Sequence, residues 1–209
     1  MGDSLEAAVV SFSTGLVFVS LIALFRKDVR LGFKEIFSAV SAKTLPKWRL
    51  SAGVLGASFV AMQTHVVPIA GVALFTVASL AGQTAISLWV DHVGLIGSGK
   101  TLITKRRIIA AVITVIAVIV SAWDRFSQSD FSIAAIFLAI VAGGWVGIQR
   151  ALNGQINSYS KKSFATSLLN FITGTTFLLL LLILLLLLLL LLRLQTTSRA
   201  VVKGAFGSS

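Results

Sequence analysis

The sequence contains no cysteine and only two histidines, His65 and His92. Without cysteine there are no disulfides and no thiolate metal ligands, and two histidines alone do not make a metal cluster. Charged residues are scarce as well: they make up 12% of the 209 residues, whereas a soluble domain carries about a quarter. We therefore predict no metal site and no cofactor, and a soluble fold is disfavoured.

Apolar residues are abundant, at 56% of the chain with a mean hydropathy of +0.97. So few charges cannot cover the surface of a soluble fold, and disordered chains are far less hydrophobic. A membrane-spanning helix needs about 20 mostly apolar residues. We predict an all-α, polytopic transmembrane helix bundle with six spans, near residues 8–25, 50–67, 69–90, 108–123, 131–152 and 164–192. The second and third spans form a hairpin that we expect to break at Pro68.

The net charge of +11 first suggests a nucleic-acid partner, but the positions of the charges argue against it. Loops 26–49, 91–107 and 154–162 hold thirteen basic residues and share one side of the predicted bundle. On the other side, the loops between spans hold only Arg125, in loop 124–130, and the basic tail after the last span would lie there against this trend. Because cytoplasmic loops are enriched in Lys and Arg, we predict that the N-terminus lies outside, and we predict no nucleic-acid partner.

The first span resembles the last when the sequence is shifted by 159 positions. Five residues of the segment 4–18 are then identical, with Phe12 over Phe171 and Gly15 over Gly174 among them. Since the two spans run in opposite directions, they predict an inverted-topology repeat, which is common in secondary transporters. We expect a two-repeat (5+5) transporter. Residues 1–123 would be helices 2–5 of the first repeat and residues 131–192 helices 1–2 of the second, with the remaining helices absent.

The end of the last span is unusual in composition. Residues 178–192 are fourteen leucines interrupted only by Ile183, and a basic tail, 193–209, follows. One interpretation is a low-complexity membrane anchor with a tolerated basic tail. The other is that the sequence beyond about Leu182 is not native to the fold, and that the tail is disordered or non-native.

Several short motifs lie along the chain, at residues 53–57, 67–73, 82–83, 91–97, 147–149, 153–154 and 170–174. Together they resemble the drug/metabolite transporter (DMT) superfamily, in particular its branch of uncharacterised bacterial inner-membrane proteins with five-helix repeats. The resemblance covers roughly residues 4–177. It implies a multi-pass permease of the bacterial inner membrane whose substrate is unknown.

A second motif, at residues 94–101, matches the phosphate-binding pattern G-x-x-x-x-G-K-[ST]. A true phosphate loop follows a strand and opens a helix of a soluble α/β domain. This segment lies instead between two apolar spans. The sequence therefore favours a glycine-serine turn whose Lys100 contributes to the topology.

Polar side chains at membrane depth are costly and are often functional. We predict a substrate-binding set composed of Gln83, Gln149, Asn153, Gln63 and Asn170. Gln149 and Asn153 are four residues apart and so share one helix face. The structural alternative is that these groups bond to neighbouring helices. His65 is expected to be interfacial.

The function predicted from these features is that of a DMT-type permease or exporter that moves a small solute by alternating access. We predict no enzyme, since the sequence offers no catalytic nucleophile or acid–base pair. The alternative is a membrane protein that does not transport, either a truncated product or a helper subunit. The expected partners are the lipid bilayer, an unidentified small molecule and a second chain, alike or different, that supplies the missing helices.

Overall fold

The computed structural model describes residues 2–94, 104–123 and 132–206, with side chains except at 2–3, 122 and 197–206. The described residues form seven α-helices and one short 3₁₀ turn at Lys47–Ser51. The helices are α1 (Gly2–Phe25), α2 (Lys27–Ser41), α3 (Ala52–Ala70), α4 (Val72–Val93), α5 (Lys105–Trp123), α6 (Ile133–Ser160) and α7 (Ser163–Phe206). The predicted all-helical class is confirmed.

Five segments within the described ranges are long and apolar enough to cross a membrane. They are Ser4–Phe25, Lys47–Ala70, Val72–Val93, Ile133–Ser160 and Ser163–Thr196. Each coincides with one of the six predicted spans. The remaining predicted span, 108–123, does form a helix, α5, but it is not among the five. Three basic residues open α5, and an apolar run follows them.

The break between α3 and α4 lies at Gly71, so the predicted break at Pro68 is wrong. Pro68 is inside the last turn of α3. Gly71 has φ 82° and ψ 153°, a conformation that is essentially restricted to glycine. Its N–H still donates to the Val67 carbonyl at 2.8 Å. A proline near the end of a helix removes only one hydrogen bond, whereas the backbone at Gly71 changes the direction of the chain.

Most of the predicted loop 26–49 is the amphipathic helix α2. Its buried face consists of Val29, Gly32, Ile36 and Ala39. This face packs against the end of α6 and the beginning of α7, where Leu152 and other apolar side chains complete a buried cluster. The basic residues of α2 lie on its other face and remain exposed.

Arg26 connects α1, α2 and α7 at one end of the bundle. Its guanidinium donates to the Asp28 carboxylate at 2.6 Å and lies 5.2 Å from the centre of the Phe164 ring. The hydrogen bond from Arg26 lowers the pKa of Asp28 below its ordinary value. Asp28 is in the first turn of α2, where the helix dipole also stabilises a negative charge.

Helices α4 and α6 pack backbone to backbone. A Cβ on Gly82 would overlap the Ile140 carbonyl, and a Cβ on Gly143 would overlap the Ser79 carbonyl. Small residues permit such close approach in membrane bundles. The stripe formed by Gly143 and Gly147 on α6 therefore packs within the chain, against α4.

Helices α1 and α7 also contact each other through glycine. A Cβ on Gly15 would overlap the Phe171 ring, and a Cβ on Gly174 would overlap the Phe12 ring. The two rings meet edge to face, with centroids 5.5 Å apart. As residue numbers rise along α1 they fall along α7, so the two helices are antiparallel.

The outer surface of the bundle is apolar. Exposed side chains include Val72 and Trp123, both 69% exposed, and ten of the fourteen leucines of the run in α7. Large apolar side chains on the outside with small residues between the helices are typical of a bundle surrounded by lipid. α7 continues beyond the predicted span to Phe206, for 44 residues in all.

Candidate functional site

A polar cluster lies where α6 meets α7 and α3. Asn170 on α7 donates from Nδ2 to Asn153 Oδ1 on α6, at 2.9 Å. The turn that joins these helices is very short, because Lys161 adopts a left-handed conformation with φ 50°. The turn lets two amides that are 17 residues apart face each other. The Asn170 Oδ1 atom is buried and accepts no hydrogen bond from the described residues.

Two glycines of α3 make room for these polar groups. A Cβ on Gly56 would overlap the amide of Gln149, and a Cβ on Gly53 would overlap Thr173 Oγ1 and the Asn170 carbonyl. The Gln149 amide, the Asn170 backbone carbonyl and the Thr173 hydroxyl therefore lie directly against the α3 backbone. We call this set the polar crossing: Gly53, Gly56, Gln149, Asn153, Asn170 and Thr173.

Gln83, another residue of the predicted substrate set, is on α4, which packs on a different side of α6 from the polar crossing. It is only 9% exposed, and its backbone carbonyl lies near Gly147 at the α4–α6 contact. Its side chain lines a cavity of about 260 Å³ between α4, α5 and α6. The Gln83 Oε1 atom accepts no hydrogen bond from any described donor.

Gln63 lies in a third place. It is exposed and lines an open cavity of about 830 Å³ beside the end of α3, together with His65 and Pro68. His65 also borders an apolar cavity of about 510 Å³ whose lining includes four leucines of α7. The structure therefore brings Gln149, Asn153 and Asn170 together, and it places Gln83 and Gln63 elsewhere.

Sequence reasoning missed two features of these regions. Thr173 belongs to the polar crossing, and the signal was present because Thr173 is one of the residues matched by the 159-position shift. The other feature is an ion pair between Asp91 at the end of α4 and Arg107 at the start of α5. No sequence pattern reveals this ion pair, because Asp91 and Arg107 are far apart along the chain.

Two other sequence features concern ligands. Within the described ranges, no group of three His, Asp or Glu residues could hold a metal ion. Gly94 ends α4 in a left-handed conformation with φ 71°, and the remainder of the phosphate-loop pattern, 95–101, lies outside the described residues.

The chemistry of the polar crossing is that of hydrogen bonding between uncharged groups. Its amides and hydroxyl can bind or pass a polar solute, and they contain no nucleophile activated by a base. The cavity beside Gln83 differs, because two arginines also line it.

Comparison with known proteins identifies the family. No curated protein and no solved structure matches the chain. A family model described as "Putative inner membrane exporter, YdcZ" matches residues 1–120 and 134–203. The match covers all five membrane-capable helices, including both sides of the polar crossing. This extent of agreement confirms the resemblance predicted from the motifs: the chain belongs to this DMT-type family of inner membrane exporters.

Proposed function

We propose that this chain exports a small polar solute across the inner membrane by alternating access between two inverted repeats. The observation that carries the mechanism is the reciprocal packing of α1 against α7. The family supports an exporter in general, and the geometry supports the way in which it would work.

The packing is reciprocal because residues that correspond under the shift of 159 positions exchange their roles in the contact. This shift matches Phe12 with Phe171 and Gly15 with Gly174. In the structure each phenylalanine covers the glycine of the other helix. A two-fold axis between the two helices would produce contacts that exchange in this way. Because α1 and α7 are antiparallel, such an axis would lie across the helices, as inverted repeats require.

Inverted repeats give a physical basis for alternating access. If the two halves exchange conformations, the state open to one side becomes the state open to the other. The two states then have similar energies, and a solute bound between the repeats meets first one side and then the other. In this proposal α5 is the sixth crossing helix, and the N-terminus lies outside.

The polar crossing is the solute contact that this mechanism needs. It joins α3 of the first repeat with α6 and α7 of the second, and it holds the buried, unpartnered Asn170 Oδ1. In this proposal Gln149 and Asn153 bind the solute, as predicted from the sequence. Gln63 and Gln83 would contact the solute at other points of its path.

The proposal is tested by profiling the solutes that cells release. Cells that produce the chain are compared with vector controls by mass spectrometry of the medium. We expect at least one small polar solute to accumulate outside several-fold faster with the wild type. Asn153→Ala and Asn170→Ala should reduce that release about tenfold at equal membrane levels, because each removes a solute contact.

Thr176→Ala is the matched control on α7. Thr176 is exposed, and its hydroxyl bonds only to the Ile172 carbonyl of its own helix, so release should be unchanged. The released solute is then tested in proteoliposomes, where alternating access predicts faster efflux when the same solute is present on the other side. A medium identical to that of the vector cells would contradict export and favour the non-transporting alternative.

A further inference from the structure

We propose that a cleft between α4, α5 and α6 binds a small hydroxylated monocarboxylate. The cleft consists of two adjoining cavities of about 260 Å³ and 220 Å³. Three residues line both of them: Ser87, Arg107 and Arg150. We call this feature the arginine cleft. It lies apart from the polar crossing, on the α4 side of α6.

The inner wall of the cleft presents an unused hydrogen-bond acceptor. Gln83 is more than nine-tenths buried and lines the larger cavity. Its Oε1 atom accepts no hydrogen bond from the described residues. Leaving such an atom unpaired is unfavourable, and a carbonyl oxygen can only accept. A ligand that satisfies Gln83 must therefore carry an O–H or N–H donor.

The other wall of the cleft is positively charged. Arg150 is exposed along α6, and the side chain of Arg107 is 46% exposed. Asp91 lines the smaller cavity and forms an ion pair with Arg107. Two guanidiniums and one carboxylate leave one positive charge, which matches a single anionic group. Guanidinium and carboxylate also fit each other in shape and hydrogen-bonding pattern.

Together these walls select among small anions. A carboxylate at the arginines leaves a neighbouring hydroxyl free to reach Gln83, with Ser87 beside it. A zwitterion fits less well, since its ammonium group would meet two guanidiniums. Leu80 and Leu88 line the rest of the larger cavity, so a short apolar chain is accommodated.

That the cleft admits the exported solute is an inference that rests on the proposed function. That the cleft binds a monocarboxylate does not depend on export. The cleft lies at the end of α4 and the start of α5, the side predicted to face the cytoplasm. The same anion chemistry could be satisfied by the phosphate of a lipid headgroup. A binding experiment in defined lipid distinguishes these sources and does not depend on transport.

The test uses the full chain purified into nanodiscs of uncharged phosphatidylcholine. Lactate, propionate and alanine are titrated, and their dissociation constants are measured by NMR. Lactate and propionate differ only in the hydroxyl group that Gln83 would accept. We expect lactate to bind at least fivefold more tightly than propionate, and alanine to bind more weakly than lactate.

Variants assign the two walls separately. Gln83→Met keeps the volume and removes the acceptor, so lactate binding should fall to the level of propionate while propionate binding is unchanged. Arg150→Gln should weaken both carboxylates about tenfold, and Arg150→Lys should weaken them less. Arg30→Gln removes an exposed arginine of α2 and should change neither constant. Unchanged propionate binding shows that Gln83→Met is folded.

Equal binding of lactate and propionate to the wild type, or no effect of Arg150→Gln, would overturn the proposal.

A second binding experiment uses nanodiscs that contain the anionic lipid phosphatidylglycerol. Unchanged lactate binding there supports a site for a soluble anion. If phosphatidylglycerol weakens lactate binding tenfold, and Arg150→Gln removes this effect of the lipid, the arginines bind a lipid headgroup. That outcome would overturn the proposal of a site for a soluble anion. Lactate binding without any export would contradict the proposed function alone.

Discussion

At the scale of single residues, the polar groups of the polar crossing lie against glycine or against one another. Asn153 and Asn170 are bonded to each other, and the Gln149 amide lies against Gly56. Away from water, a polar group without a partner is unfavourable. The pairing therefore stabilises the crossing, and the unpartnered Asn170 Oδ1 keeps one hydrogen-bonding position available for a solute.

Removal of one amide tests the pair. Asn153→Ala should lower the free energy of unfolding by about 0.6 to 2 kcal/mol, the range found for hydrogen bonds between membrane helices. The measurement is reversible unfolding in mixed micelles. Asn170→Ala in the same background should add little more, since the bond is already lost. Fully additive effects of the two substitutions would contradict the pairing.

The reciprocal contacts of α1 and α7 predict a specific pattern of rescue. Gly15→Leu should lower the folded fraction, because the new side chain overlaps the Phe171 ring. Phe171→Ala should restore it by making space, whereas Phe12→Ala should not. Gly174→Leu should behave in the opposite way and be rescued only by Phe12→Ala. Thermal unfolding of the six variants measures the pattern, and rescue by either phenylalanine alike would refute the reciprocity.

At the scale of helices, α4 and α6 are packed backbone to backbone. Gly82 and Gly143 bring the two backbones together, and neither opposing carbonyl can move aside as the end of a flexible side chain would. Gly147, one turn further along α6, lies beside the Gln83 backbone. The depth at which Gln83 sits in the arginine cleft thus depends on the separation of these two helices.

Two glycines of α6 make a matched comparison. Gly143→Ala should destabilise the fold by about 1–3 kcal/mol, as overpacking does, because its methyl group overlaps the Ser79 carbonyl. Gly154→Ala should be neutral or stabilising by about 0.5–1 kcal/mol, since it relieves the entropy cost of a helical glycine and has nothing within 4 Å. Unfolding in mixed micelles measures both. Equal effects would mean that α4 and α6 do not touch here.

At the scale of the whole molecule, the distribution of basic residues predicts the orientation. Because the chain has no cysteine, single cysteines report accessibility without background. A membrane-impermeant thiol reagent added to intact cells should modify Gln63→Cys and leave Lys43→Cys unmodified. After permeabilisation Lys43→Cys should react as well. The reverse pattern would place the N-terminus inside.

The same labelling decides whether α5 crosses the membrane. Lys105 and Trp123 are at opposite ends of this helix, and both are exposed. We expect Trp123→Cys to react in intact cells and Lys105→Cys to react only after permeabilisation. If both cysteines react on the same side, α5 does not cross, and the six-span prediction is wrong.

The sequence by itself determined the helical membrane class and the family. Both depend on composition and on motifs read along one chain, such as apolar runs of spanning length and the segment 67–73. It also predicted that Asn153 and Asn170 are functional candidates. It did not predict α2, because charged residues concealed the buried face of Val29, Gly32, Ile36 and Ala39 inside what reads as a loop.

Only the tertiary structure decided which polar residues meet. Gln83 and Gln149 look alike in the sequence, yet α6 separates them, since its Gly147 side faces α4 and its Gln149 side faces α3. Likewise, the pairing of Asp91 with Arg107 depends on how α5 packs beside α4. Hydrophobicity is set residue by residue and can be read from a sequence. Contacts between helices depend on which faces fit together, and that is settled only when all the helices pack.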